Sequence, residues 1–172
     1  MIDRDYCRMM ARYNAWQNEQ VAEAAEGLPD KALREDRGAF FGSILGTLNH
    51  LLWADLLWMA RFDGGARPEG GIKDSVTLCP TLATWSAERF RTDGRIRMWA
   101  DKVRAIDLTG DHSWHSGALG REVSKPMAQC VVHFFNHQTH HRGQVHAMLT
   151  AAGCKGIGDT DLIFMPEAES WL

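Results

Sequence analysis

Between Phe40 and Met59 the chain is apolar almost all the way round a helical wheel. Phe40, Phe41, Ile44, Leu45, Leu48, Leu51, Leu52, Trp53, Leu56, Leu57 and Met59 leave no polar face of ordinary width. A helix of this kind has to be surrounded, because one apolar stripe against one neighbour would leave the rest of its surface in water. The stretch, read as a helix over residues 38–62 and closed by Asp63-Gly64-Gly65, therefore demands other helices around it. Residues 3–26 supply one, with Tyr6, Met9, Met10, Tyr13, Trp16, Val21 and Ala24 in helical spacing before the stop at Gly27-Leu28-Pro29. A third helix is expected from Pro80-Thr81 to about Val103, with Gly94 weakening its middle. A fourth follows Ser124-Lys125-Pro126 and runs to Ala152, where Gly153 is the stop. Residues 64–80 are a Gly- and Pro-rich loop, and residues 106–124 read as a loop or a short β-hairpin. The tail, Leu162-Ile163-Phe164-Met165-Pro166, is apolar enough to pack back on the domain. The expected fold class is all-α, a four-helix bundle with a long connection, formed as a single domain over residues 1–172.

Composition narrows the function classes. Hydrophobic residues make up 45 % and charged residues 24 %, which speaks against a disordered chain, and a formal net charge of −3 offers no electrostatic footprint for nucleic acid. No apolar run reaches the roughly 20 residues that span a bilayer. The N-terminus, Met-Ile-Asp-Arg-Asp-Tyr, has no apolar signal region. The four cysteines (Cys7, Cys79, Cys130, Cys154) include no C-x-x-C pair and are expected to be reduced thiols of a cytoplasmic protein. Seven tryptophans point to a thick aromatic core, a dimer interface, or both.

The chemistry-bearing residues are concentrated in the fourth helix. Five of the eight histidines, His133, His137, His140, His141 and His146, fall within residues 131–146. His137 and His141 are about one helical turn apart, flanked on the wheel by Cys130, Phe134, Val145 and Met148, so they face the bundle and can aim at one ion. His133 and His140 sit toward an edge, and His146 lies off this face. A metal site open to chemistry takes three protein ligands plus a water. The third ligand is sought on another helix: His50, with Gly46 and Ala54 one turn away on either side, is the favoured candidate. Gly143 is the matching small position on the fourth helix. His112 and His115 in the hairpin region are rivals, and His140 could replace His141. Taken alone, His50 would read as a core histidine satisfied by a hydrogen bond. No His-Glu-x-x-His zinc-protease motif and no Glu-x-x-His di-iron pair occurs.

Three segments carry a resemblance: Tyr13-Asn14-x-Trp16-x-Asn18; Asp36-Arg37-Gly38-Ala39-Phe40-Phe41-Gly42-Ser43-Ile44 into Leu48-Asn49-His50-Leu51-Leu52-x-Ala54-Asp55; and Asn136-His137-Gln138-Thr139-His140-His141-Arg142-Gly143-Gln144. Over most of its length the chain resembles the DinB-like (DinB/YfiT) damage-inducible four-helix bundles. The resemblance implies metal ligation by His50, His137 and His141, a homodimer, and nickel or zinc as the ion, with iron or manganese as further options. Related members use such a site for thiol-dependent transfer.

Three neutral imidazoles leave a divalent ion its full charge, which suits either activation of water or capture of a thiol. With no obvious buried Glu or Asp beside the trio to act as base, the leading expectation is a metal-dependent transferase using a low-molecular-weight thiol. A metal-dependent hydrolase and a non-enzymatic, dimeric, metal- or ligand-binding stress protein are the alternatives. Among the neighbours, Gln144 is read as a ligand-orienting or a packing amide. Arg142 and Asp55 are expected in structural ion pairs, Cys130 as a buried thiol, and His133 as exposed.

Overall fold

The computed structural model describes residues 2–117 and 119–167. Four long helices form the bundle: α1 (Arg4–Glu26), α3 (Ile44–Asp63), α4 (Leu82–Lys102) and α5 (Met127–Ala151), with a five-residue helix α2 (Asp30–Arg34) between the first two. Their ends follow local chemistry. Asp3 caps α1 by accepting from the Tyr6 N–H at 2.8 Å, and Ser43 caps α3 through the Gly46 N–H at 3.0 Å. Thr81 and Thr84 form a reciprocal capping box at the start of α4. The region before α5 is an antiparallel hairpin, β1 (Asp111–Ser116) with β2 (Arg121–Pro126), in which Trp114 faces Val123.

The apolar core is split in two. One cluster holds Val21, Ala25, Ile44, Leu48, Leu52, Trp85, Val145 and Leu149; the other holds Cys7, Ala11, Met59, Ile96, Ala100, Val131, Phe134 and Phe135. On each long helix the residues between these clusters are polar and buried: Asn14, Gln17 and Asn18 on α1, Asp55 on α3, Arg89 and Asp93 on α4, Gln138 and Arg142 on α5. They bond across the bundle. Arg89 donates to Asp55 at 2.6 Å and pairs with Asp93 at 2.8 Å. Asn14 and Asn18 both donate to Asp93 at 3.0 Å, Gln138 donates to the other oxygen of Asp55 at 2.9 Å, and Arg142 donates to Asn14. Two carboxylates and two guanidiniums balance. An unbalanced charge at this depth would be severely unfavourable.

Several expectations are corrected. The apolar helix begins at Ile44, not Gly38. Gly38 and Gly42 adopt φ of +71° and +74°, and an Ala39–Gly42 bridge turns the chain, so Phe40 and Phe41 precede the helix. Phe40 is 80 % exposed, whereas Phe41 folds back half-buried. Gly46 does not make room for α5: a Cβ there would lie 2.6 Å from the Phe41 carbonyl oxygen, so the glycine admits the returning turn. Gly143 is exposed with open space around it and plays no part in helix approach. Gly46→Ala is expected to cost about 1–3 kcal/mol, the usual penalty for overpacking. A lowered urea midpoint is the readout, and an unchanged midpoint would mean the turn relaxes freely.

The tail is tethered rather than packed through its apolar side chains. Tyr13 donates to the Thr160 carbonyl at 2.6 Å, Gln17 to that of Asp159 at 2.7 Å and Arg12 to that of Pro166 at 2.9 Å. Ile163 and Phe164 point outward, 83 % and 58 % exposed. No helix among the described residues is long and apolar enough to cross a membrane. All four thiols are free, and Cys130 is buried, as its wheel position indicates. Of the seven tryptophans, Trp171 lies outside the described residues.

Candidate metal centre

His50 sits midway along α3, and its surroundings are assembled by its neighbour in sequence. The Asn49 amide donates to the carbonyls of Val76 and Cys79, both at 3.0 Å, and accepts from the Cys79 N–H at 3.2 Å. This pins a turn of 3₁₀-helix, Ser75–Thr77, against α3 and sets the Ser75 hydroxyl 3.0 Å from His50 Nδ1. Ser75 already donates its proton to the Ile72 carbonyl at 2.6 Å. It therefore accepts from Nδ1–H, which leaves His50 Nε2 with a free lone pair. On α5 the same logic applies to His141. Its Nδ1 lies 2.7 Å from Gln144 Oε1, an acceptor, so its Nε2 lone pair is also free. Gln144 is thus a ring-orienting group, one of its two expected roles.

The three rings converge. One nitrogen from each of His50, His137 and His141 lies within 4.8 Å of the others, and His50 Nε2 is 3.3 Å from His137 Nε2. Two nitrogens each about 2.0–2.1 Å from a tetrahedral ion stand about 3.3–3.4 Å apart, so this edge already has the ligand–ligand spacing of zinc-type coordination. Burial first, then the neighbouring imidazole of His141, pushes His50 down to about 4; burial and the surrounding imidazoles push His137 down to about 3. Both rings are neutral at neutral pH, the form that ligates. Among the described residues no fourth His, Cys, Asp or Glu joins the group.

The remaining histidines are accounted for. His140 and His133 are exposed, His146 is half-buried toward α1, and His112 and His115 lie on β1. Cys130 belongs to the apolar cluster beside the hairpin. Phe41, which the sequence reading buried inside a helix, stacks on His50 at 3.6 Å between ring centroids and lies 5.3 Å from His141. The glycines on either side of the phenylalanine pair were the available signal. Ser75 was not legible: nothing in a loop sequence marks which hydroxyl will meet a ring 25 residues away.

Two expectations about charge change. Among the described residues Arg142 makes no direct carboxylate pair; it donates to Asn14 and lies 5.7 Å from the Tyr13 ring centroid, with Asp55 and Asp93 acting on it through space. Buried carboxylates do exist close to the trio. Asp55 is linked through Gln138, the residue after His137, but both of its oxygens are taken, by Gln138 and by Arg89 in the expected ion pair.

Protein DinB of Bacillus subtilis (strain 168) is 24 % identical over 159 residues, covering 87 % of each chain. A model of the DinB family matches residues 1–170. The match embraces α1, α3 and α5, with all three converging histidines, and on it the chain belongs to the DinB family.

Proposed function

We propose that His50, His137 and His141 hold one divalent ion, nickel or zinc, and that the protein is a metal-dependent enzyme using a low-molecular-weight thiol in a transfer reaction. The observation that carries the reading is a three-imidazole group with no fourth protein ligand among the described residues, since a structural ion is ordinarily closed by four. When bound, such an ion supplies a Lewis acid that makes a thiol easier to deprotonate. The chain's own residues then do the rest. Ser75 and Gln144 fix two ring tautomers, and Phe41 stacks over His50 and excludes water from one side. Asp55 and Asp93 stay committed to Arg89, and among the described residues no carboxylate joins the trio to activate water, which favours a thiol over hydrolysis. In the transfer, the sulfur's bond to an electrophilic carbon forms as the carbon's bond to its leaving group breaks, and the thiol proton ends on the leaving group.

The test is spectroscopic. Protein loaded with cobalt(II) should change its visible absorption when cysteine or 2-mercaptoethanol is added, and an unchanged spectrum up to millimolar thiol would remove the thiol reading. A second expectation concerns Ser75. Ser75→Ala should weaken metal affinity by roughly 10- to 100-fold, the usual effect of losing a ligand-orienting hydrogen bond. Chelator competition measures it, and wild-type affinity in the variant would mean that the His50 ring is held by packing alone.

A further inference from the structure

One turn from His137 toward the hairpin, the surface is aromatic and cationic. The Arg61 guanidinium lies 4.4 Å from the Trp58 ring centroid and 5.0 Å from that of Trp114. The His133 ring bridges to the trio, 5.3 Å from Trp58 and 5.8 Å from His137, and His112 stacks on Trp114 at 5.6 Å. Arg61 makes no ion pair and no hydrogen bond among the described residues, although Arg8, Arg34, Arg37, Arg89, Arg91, Arg95 and Arg104 all find carboxylates. Its Nε and the His112 Nε2 are buried without a hydrogen-bond partner. Buried polar atoms left this way are unfavourable unless a ligand or water completes them.

We infer that this face is the docking site for a carboxylate on the same small molecule that brings its sulfur to the histidine trio. The inference rests on the proposed metal-and-thiol reading and names its substrate class. Arg61 is eleven positions after His50, but its guanidinium reaches back over Trp58, about two helical turns from His50. Eight positions at about 1.5 Å each put it roughly 12 Å from the trio along the α3 axis. The matching ligand is therefore a thiol carrying a carboxylate somewhat less than that distance from its sulfur, because the ion–sulfur and guanidinium–carboxylate contacts take up the two ends. The planar guanidinium offers paired donors for the carboxylate, and the Trp58 and Trp114 rings flank the chain between. Burial, then Arg67, pushes Arg61 down to about 10, offset in part by the Cys130 thiol and by no carboxylate among the described residues, so the guanidinium keeps its charge at neutral pH.

The experiment compares 6-mercaptohexanoate with 6-mercaptohexanol, which share length and sulfur and differ only in charge. Cobalt content is measured first, and thiol binding to the loaded protein is then followed by visible absorption. Wild type should bind the carboxylate about tenfold more tightly, the size of one charge-assisted hydrogen bond, and the margin should shrink with added salt. Arg61→Met should bring the two thiols to equal affinity, and Arg61→Lys should keep part of the difference. Equal affinities in wild type, or an Arg61→Met variant that weakens both thiols alike, would overturn the assignment and leave Arg61 as a stacking contact. If the protein takes up no cobalt, the metal reading fails. Quenching of tryptophan emission by hexanoate against hexanol in metal-free protein then decides the carboxylate site by itself: selective quenching lost in Arg61→Met upholds it, and none refutes it.

Discussion

Alanine at His50, His137 or His141 is expected to take the metal content from about one ion per chain to near zero, because two imidazoles cannot hold a divalent ion against dilution and dialysis. Elemental analysis of protein purified without a histidine tag is the measurement. The informative controls are His133→Ala and His140→Ala, which lie on the same helix and remain exposed. They should keep full stoichiometry. A set in which all five variants lose metal equally would mean that the ion is held loosely along α5, and unchanged metal in the three would dismiss the trio. The folded state should survive the His137→Ala change, since that ring is only partly buried and belongs to neither apolar cluster. Loss of metal and loss of fold are therefore separable by circular dichroism on the same samples.

The second large effect concerns the polar layer. Arg89→Met leaves Asp55 and Asp93 buried with Arg142 as the remaining buried cation of the layer among the described residues, and Arg142 touches neither. Removing one partner from a buried ionic cluster costs about 3–5 kcal/mol. Against a total stability of about 5–15 kcal/mol, this is enough to lower the urea midpoint sharply or to abolish soluble expression. Arg89→Lys keeps the charge but loses the fork that reaches both carboxylates, and it should fall between wild type and Arg89→Met. If Arg89→Met unfolded at the wild-type midpoint, the two apolar clusters alone would hold the bundle, and the layer would matter only for alignment.

The bundle was legible because its signals are local. Apolar spacing, the Asp63-Gly64 stop and the Gly153 stop place the ends of the helices within a few residues, and the glycines over 106–124 mark a loop or hairpin where the hairpin of Asp111–Ser116 and Arg121–Pro126 lies, with Gly120 in its turn. The one large boundary error, at Gly38 to Ser43, has a physical origin. Phe40, Phe41 and Ile44 continue the helical pattern of hydrophobicity, while the backbone there is dictated by two left-handed glycines. Hydrophobicity without conformation misled. The histidine trio was legible for a different reason, since spacing on α5 selects two rings and an isolated imidazole on an apolar helix attracts attention. The polar layer was not. Asp93 and Arg89 sit on α4 at positions that a wheel reads as ordinary, and only the packing of four helices reveals that their partners are Asn14, Asn18 and Asp55. The tail misled too, because Tyr13 and Gln17 hold its backbone and leave Ile163 and Phe164 free to face outward.

The trio joins positions 87 residues apart, and the chain between them includes all of α4 and the hairpin. Closing so long a loop carries an entropic penalty that local helix formation does not offset, so contacts of this separation form late in folding. His137 and His141, by contrast, come into register as soon as α5 winds. An ion present from the start of refolding therefore meets a two-imidazole helix, with His133 and His140 beside it, before His50 arrives. Metal added to the denatured chain should slow the final docking of α5 on α3, whereas metal added afterwards should enter a site already shaped. The order of addition is thus a kinetic variable written into the spacing of the ligands.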